Sequence, residues 1–320
     1  MSNVSSIRNV AWYGTGQLGS QILKYLASAQ KFTITVLVRR DPTSYSNLPE
    51  NITLKQIDLA DHSSLVNALS GNDAMVVFTS MAPYNDMDGI QLKLINAAME
   101  AGVKLFVPSE WGPDTAGGNG ATSYRIGPDT LPPTPIIGMK RVVHNYLLAR
   151  SGEGKINFAT LHAGNMLLNA GAFATIDVRK RTAILPDGGR HPFSITSKET
   201  LGTALINLLS MYPKIKNTFL YICDGEATMN EVVLALQEAS TSKEQWEISS
   251  YSIKEKKEEA DANLKEGKMS LADFIGVLGV PFTGGLTVWK NPDNSRLGLE
   301  EPSSAKSREI VNKVARSLLV

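Results

Sequence analysis

The sequence predicts an α/β fold built on a doubly wound parallel sheet. Two observations carry that expectation. In the first half of the chain short apolar runs alternate with helix-patterned segments at a steady pitch. Strands joined through helices run parallel and are covered on both faces. The runs are also β-branched and nearly continuous, as strands buried on both sides require.

Taken in order, Asn9–Tyr13 reads as the first strand. Leu18–Ala29 follows as a helix with Leu18, Ile22, Tyr25, Leu26 and Ala29 on one face. Phe32–Val38, with Ile34, Val36 and Val38, is the second strand and Ile52–Ile57 the third. Ser63–Leu69 is a short helix opened by its serine, and Ala74–Phe78 is the fourth strand. Asp88–Ala101 is a helix closed by Gly102, and Val103–Val107 is the fifth strand. After a long loop come a helix over Ile136–Arg150 and a strand over Asn157–His162. The second half is less regular. Pro186-Asp187-Gly188-Gly189 signals a turn, and Ser197–Met211 a helix capped by Ser197 with Leu201, Ala204, Leu205 and Leu208 inward. Thr218–Cys223 reads as a strand. Thr228–Ala239 is a helix in which Glu231 completes a capping box. Ile253–Lys268 is a charged surface helix, and Ser304–Leu319 an amphipathic one that closes the chain.

Composition narrows the function classes. The chain has 320 residues, 42% of them apolar and 20% charged, enough for a buried core in one large domain or two modest ones. Lys and Arg number 32 against 31 acids, a net charge of +1. That balance does not describe a nucleic-acid or membrane-surface binder. The single cysteine, Cys223, excludes an intramolecular disulfide framework and cysteine-rich zinc sites. The four histidines, His62, His144, His162 and His191, show no paired ligand spacing, so no metal is expected. Met1–Asn9 is polar, without an apolar run of signal-peptide length, and no window reaches membrane-span length, so a cytoplasmic protein is expected. Oligomeric state is not readable.

Gly14-Thr15-Gly16-Gln17-Leu18-Gly19 stands directly after the first strand and before a helix. In that context GxGxxG has a physical meaning. Gly14 permits the tight turn and Gly16 lets backbone approach a pyrophosphate. Gly19 allows close helix–strand packing, and the helix start offers amide donors. The expectation is a Rossmann fold binding a dinucleotide. At the end of the second strand an acidic residue would select NAD, but the sequence there is Val38-Arg39-Arg40-Asp41. Guanidinium groups suit a 2′-phosphate, which points to NADP(H). One of the two, Arg40, could instead merely face solvent, and Asp41 could pair with an arginine. Asp58, after the third strand, either meets the adenine edge or starts a helix.

Trp111–Pro135 holds five glycines and five prolines, and it is either an insertion without function or a lid over a ligand. In the helix behind it, Ile136, Ile137, Lys140, Val143, His144, Leu147 and Leu148 fall on one apolar arc. A lysine in such an arc must snorkel, pair or act on a ligand. Lys140 is therefore the candidate catalytic residue, while His144 is read as a packing histidine.

The glycine turn, the arginine ending the second strand, Pro108-Ser109-Glu110-Trp111-Gly112 after the fifth and the inward Lys140 together resemble the NmrA-like and isoflavone-reductase-like group. These are atypical short-chain dehydrogenases/reductases. The resemblance is strongest over residues 8–165 and loose after 225. It implies an NADPH-dependent reductase of an aromatic or otherwise apolar secondary metabolite. Gly14, Thr15, Gly16, Gln17, Leu18 and Gly19 would hold the pyrophosphate, and Arg39, helped by Arg40, the 2′-phosphate. Thr79, Ser80 and Met81 would line the cofactor, with Asn165 near the nicotinamide. Lys140 would hold the nicotinamide ribose and serve as acid/base. Residues 1–162, completed by 193–225, would bind the cofactor, and 163–320 mainly a small-molecule substrate.

One departure bears on chemistry. Typical short-chain dehydrogenases carry Tyr-x-x-x-Lys, and here Ile136 stands where the tyrosine would be; the isoflavone-reductase-like group also lacks it. Tyr84 and Tyr124 are candidate substitutes. Met166, Leu167, Leu168, Phe173 and Phe193 are candidates either for an apolar substrate lining or for plain core. Two other readings stay open. One is a non-redox isomerase, cyclase or condensing enzyme with a structural nucleotide. The other is an NmrA-type NADP sensor that catalyses nothing.

Overall fold

β1 (Asn9–Tyr13) lies inside a seven-stranded sheet, with β2 (Thr33–Val38) on one side and β4 (Ala74–Val77) on the other, both parallel to it. β3 (Thr53–Gln56) continues the sheet beyond β2, and β5 (Leu105–Val107) and β6 (Asn157–His162) beyond β4, again in parallel. β10 (Thr218–Tyr221) completes it, giving the order β10-β6-β5-β4-β1-β2-β3. The doubly wound expectation is met, with the strand order reversing between β1 and β4. In such sheets ligands bind outside the carboxyl ends of the strands at that reversal. The computed structural model describes residues 6–45, 48–79, 86–115, 135–166, 176–240, 245–268 and 287–319.

The chain forms two compact units. The first comprises Met1–Trp111, Pro135–Leu161 and Leu201–Leu220. Successive strand residues point to opposite faces. Ala11 and Tyr13 join a core with Val77, Phe106 and Phe158, covered by α2 (His62–Leu69), α3 (Met87–Glu100) and α4 (Pro135–Gly152). Val10, Trp12 and Val36 are equally buried on the other face. There α1 (Gln17–Ser28) packs on α5 (Lys198–Ser210) so closely that a β-carbon on Gly202 would sit 2.7 Å from Tyr25. Two local readings need correction. α2 starts one residue earlier than expected and is capped by the Asp61 carboxylate, which accepts from the Ser63 amide at 2.9 Å. Leu148 is 44% exposed rather than inward. The buried residues of α4 explain why: relative to Lys140, Val143, His144 and Leu147 lie within about 60° of arc, and Leu148 lies at about 80°.

The second unit comprises Gly112–Thr134, His162–Thr200 and Tyr221–Val320. It holds strands that apolar patterning did not show. β7 (Ile176–Asp177), β8 (Thr182–Pro186) and β12 (Glu247–Tyr251) form one small sheet, and β9 (Phe193–Ile195) and β11 (Gly225–Ala227) another. Phe193 and Ile195 pack with Val232 and Leu236 of α6 (Met229–Ala239) and Val311 and Ala315 of the last helix, α8 (Ser304–Leu318). The charged α7 (Ile253–Lys265) precedes it. Thr228 and Glu231 form the expected capping box.

A buried carboxylate organises this unit. The fully buried Asp224 accepts from the Ser197 amide at 2.7 Å and the Thr200 hydroxyl at 2.6 Å, and pairs with Lys306 of α8 at 2.8 Å. Burial alone would raise its pKa, but the Lys306, Thr200 and Ser197 partners outweigh it and hold the group below its ordinary value of 3.8. A folded-state pKa below the unfolded one contributes stability at neutral pH and loses it as pH falls from that ordinary value through the depressed one. Asp224→Asn is expected to cost about 1–3 kcal/mol, because a buried charged acceptor is lost while Lys306 keeps Glu300 at 3.2 Å. Thermal melts between pH 7 and pH 3 check this, since the variant's acid dependence should be shallower than the wild type's.

Candidate functional site

The turn that ends β1 is built around an aromatic stack. Trp12 stacks on Phe78 with ring centroids 4.8 Å apart, and Phe78 on Trp111 at 4.1 Å and 3°. The Trp12 indole donates to the Gly14 carbonyl at 2.9 Å, and the Trp111 indole to the Val77 carbonyl at 2.9 Å. Against this wall the three glycines have different reasons. Gly14 has φ +106°, and a β-carbon there would fall 1.9 Å from the Phe78 carbonyl oxygen. A β-carbon on Gly19 would meet the Gly14 carbonyl oxygen at 2.3 Å. Gly16 has ordinary backbone angles, and a β-carbon there would meet nothing within 4 Å. Neither the fold nor its neighbours require a glycine at position 16.

Gly16 caps α1 with no side-chain hydrogen bond, and the first turn of the helix holds no acidic residue. Its amides and positive dipole end therefore suit an anion. Thr79, at the end of β4 across the strand-order reversal, donates its amide to Ser109 Oγ at 3.0 Å. Its own hydroxyl is buried and has no hydrogen-bond partner among the described residues. An open cradle at Gly16, an uncapped helix start and an orphaned hydroxyl fit a phosphorylated dinucleotide.

At the end of β2, Arg39 and Arg40 are exposed. Burial raises the Tyr13 phenol's pKa and the charge of Arg39 opposes it, which puts Arg39 near the end of β1. Arg40 lies over the Tyr45 ring at 5.3 Å. Asp41 bonds to neither arginine; its carboxylate accepts from the Thr43 amide at 2.8 Å and holds a short turn. Asp58 caps the Ala60 amide at 2.8 Å, so its carboxylate shapes the loop before α2.

Residues 109–111 connect β4, α3 and α4. The Ser109 amide donates to the buried Gln91 of α3 at 2.8 Å. The Lys140 ammonium donates to the Glu110 carbonyl at 2.8 Å and stands 3.8 Å from the Glu110 carboxylate. Lys140 is 5% exposed and Glu110 1%. Burial pushes the Lys140 pKa below its ordinary value, and Glu110 works against that shift. His144 stacks on Phe219 at 4.3 Å, a packing role as expected.

The second unit contains Asn165, which is 2% exposed. Its amide donates to the Ser194 carbonyl at 2.8 Å, while its side-chain Nδ2 has no hydrogen-bond partner among the described residues. Met166 is half-buried, and Phe193 is plain core. Ser80, Met81, Tyr84, Tyr124, Leu167, Leu168 and Phe173 lie outside the described residues, as do positions 116–134 of the long loop. Cys223 is buried and its thiol is pushed up to about 12, which makes it inert near neutral pH. Among the described residues no cluster of His, Cys, Asp and Glu suits a metal ion. No described helix is long and apolar enough to cross a membrane.

Sequence reasoning missed Gln91 and the role of Glu110. Gln91 carried the same signal as Lys140, a polar residue among Met87, Leu94, Ile95 and Ala98 on the buried face of its helix. Glu110 sits in a loop, where periodicity has nothing to report.

Comparison with known proteins agrees with this architecture. The oxidoreductase aprR of Aspergillus flavus is 29% identical over 256 residues, covering 79% of this chain and 80% of the relative. AtPrR2 with NADP+ and (+)pinoresinol superposes with a TM-score of 0.69 at 20% identity, covering 99% of both chains. The NADPH-dependent quinone oxidoreductase QOR2 of Escherichia coli, in complex with NADPH, has a TM-score of 0.68 at 20% identity, covering 94% of this chain and 98% of that one. The model of the NmrA-like family matches residues 12–266, and the chain belongs to that family.

Proposed function

We propose that this chain is an NADPH-dependent reductase of a small, aromatic or otherwise apolar secondary metabolite, with Lys140 as its acid/base residue. The observation that carries the proposal is the amine of Lys140, buried in the same unit as the glycine turn and aimed by the Glu110 carbonyl. The names of similar proteins support the class: an oxidoreductase, and a protein bound to NADP+ and (+)pinoresinol.

Bound NADPH supplies the hydride; the chain supplies position, charge and a proton. The α1 amides and Gly16 receive the pyrophosphate, and Arg39, with Arg40 beside it, receives the 2′-phosphate. The orphaned Thr79 hydroxyl would offer the cofactor a hydrogen bond, and the family resemblance assigns Ser80 and Met81 to the same lining. The family resemblance assigns Asn165 to the nicotinamide, and Tyr84, Tyr124, Met166 and Phe173 are the sequence's candidates for the substrate. Lys140 holds the nicotinamide ribose and gives its ammonium proton to the substrate atom that gains negative charge. Its low-polarity surroundings bring proton exchange closer to neutral pH.

The test is stoichiometric. Purified protein is given NADPH and a metabolite extract from its source organism, with absorbance and mass read together. One NADPH oxidised per product molecule is expected. Product without NADPH loss makes the chemistry non-redox, a reading the absent tyrosine at Ile136 leaves open. No product leaves a sensor. Cofactor choice has its own check. Arg39→Ala is expected to weaken NADPH binding about 10–100-fold through loss of a charge-assisted phosphate contact, with NADH binding unchanged. Equal loss for both nucleotides in a fluorescence titration would remove Arg39 from the 2′-phosphate.

A further inference from the structure

We propose that Glu110 is the positioning residue of the acid/base lysine: its backbone carbonyl aims the Lys140 amine and its carboxylate keeps that amine cationic. The proposal rests on the reading of Lys140 as proton donor.

The geometry separates two tasks that one residue performs. The direct bond, 2.8 Å, runs from Lys140 Nζ to the main-chain oxygen of Glu110, while the nearer carboxylate oxygen, Oε2, is 3.8 Å from the same nitrogen. The first contact is directional and fixes where the amine points. The second is a charge at close range in a low-dielectric setting and acts on whether the amine keeps its proton.

Glu110 is itself held firmly. Its amide donates to the Pro108 carbonyl at 2.8 Å. The preceding Ser109 is bound to Gln91 and Thr79, and the following Trp111 is stacked on Phe78 and bonded to Val77. The carboxylate is therefore delivered by a segment anchored on both sides.

No other charge among the described residues competes for this amine. Among the described residues, burial and Glu110 are what act on Lys140. On its own helix, His144 is occupied by Phe219. On α3, which packs beside α4, Lys93 is exposed, Glu100 is paired with His62 at 2.8 Å, and Asp88 sits in the first turn; none of them acts on Lys140. β5 and β10 bring no charged side chain. If Glu110 were neutral, burial would act on Lys140 unopposed.

The test titrates the lysine directly. Protein labelled with carbon-13 at the lysine ε-carbons is followed by NMR against pH, without nucleotide or substrate, and the Lys140 signal is assigned by its loss in Lys140→Met. Glu110→Gln keeps the backbone carbonyl and removes the charge. Its Lys140 midpoint is expected to fall by about one pH unit or more, the effect of an opposite charge at this range. The lysine limb of the kcat/KM profile is expected to move in the same direction. A midpoint within about 0.3 of the wild type overturns the proposal, by the size of effect such a charge should have. If Glu110→Gln folds but is too unstable to titrate, the pair Lys140→Met and Glu110→Gln together should melt higher than Glu110→Gln alone, because no lone buried charge remains; if it does not fold at all, the pair should restore a folded protein. A double variant that melts no higher overturns the proposal as well. Because the titration uses no turnover, a failure of the reductase reading and a failure of the Glu110 reading are separate results.

Discussion

Lys140→Met is expected to lower turnover about 10²–10⁴-fold, the usual contribution of a positioned proton donor, with NADPH affinity changed less than about tenfold, or 1.4 kcal/mol. Methionine keeps an unbranched stem of similar length on the buried stripe with Val143, His144 and Leu147, so the helix still packs. The stem's apolar contacts survive while the amine, its bond to the Glu110 carbonyl and its proton are lost. Single-turnover assays at saturating NADPH check the rate, and nucleotide titration checks binding. Full activity in the variant would remove Lys140 from the chemistry. Equal loss of binding and rate would make it a cofactor ligand alone. A thermal melt belongs beside both, because the buried Glu110 carboxylate loses the Lys140 ammonium 3.8 Å away.

The second large effect lies in the glycine turn, where two neighbouring substitutions should fail in opposite ways. Gly14→Ala puts a methyl group 1.9 Å from the Phe78 carbonyl, at a φ of +106°. Backbone strain and overpacking together should cost roughly 2–6 kcal/mol, a large share of the 5–15 kcal/mol typical of a folded protein. Gly16→Ala meets no protein atom within 4 Å and has a permitted backbone. Its stability should stay within about 0.5 kcal/mol of wild type, while NADPH affinity falls about tenfold or more because the methyl occupies the pyrophosphate's space. Urea unfolding and nucleotide titration of both variants separate the two roles. A Gly16→Ala protein that binds NADPH normally would place the phosphates elsewhere.

Legibility followed burial and locality. The strands of the large sheet were visible because covered strands carry unbroken apolar runs, and the first helices because their stripes repeat. The small strands were not visible. Glu247–Tyr251 reads Glu-Ile-Ser-Ser-Tyr and is largely exposed; it is a strand through its pairing with Thr182–Pro186, more than sixty positions away. No window of sequence contains that information. The start of α2 was misplaced because Asp61 and Ser63 are both good caps two residues apart, and only the hydrogen bond chooses between them. In the site, Lys140 was legible as a charge on an apolar stripe. Its contact with Glu110 was not, since the direct bond is to a main-chain oxygen that any residue at that position would offer.

The stacked rings beneath the glycine turn have a thermodynamic consequence. A phosphate-binding loop that must order itself on binding gives up part of its interaction energy as lost conformational entropy. Here the turn is already committed: the Trp12 indole holds the Gly14 carbonyl, and Gly14 and Gly19 lie so close to Phe78 and to each other that neither has space for a β-carbon. Preorganisation of that kind lets the nucleotide's phosphate end dock on a rigid surface, so little of its binding energy is spent on shaping the loop.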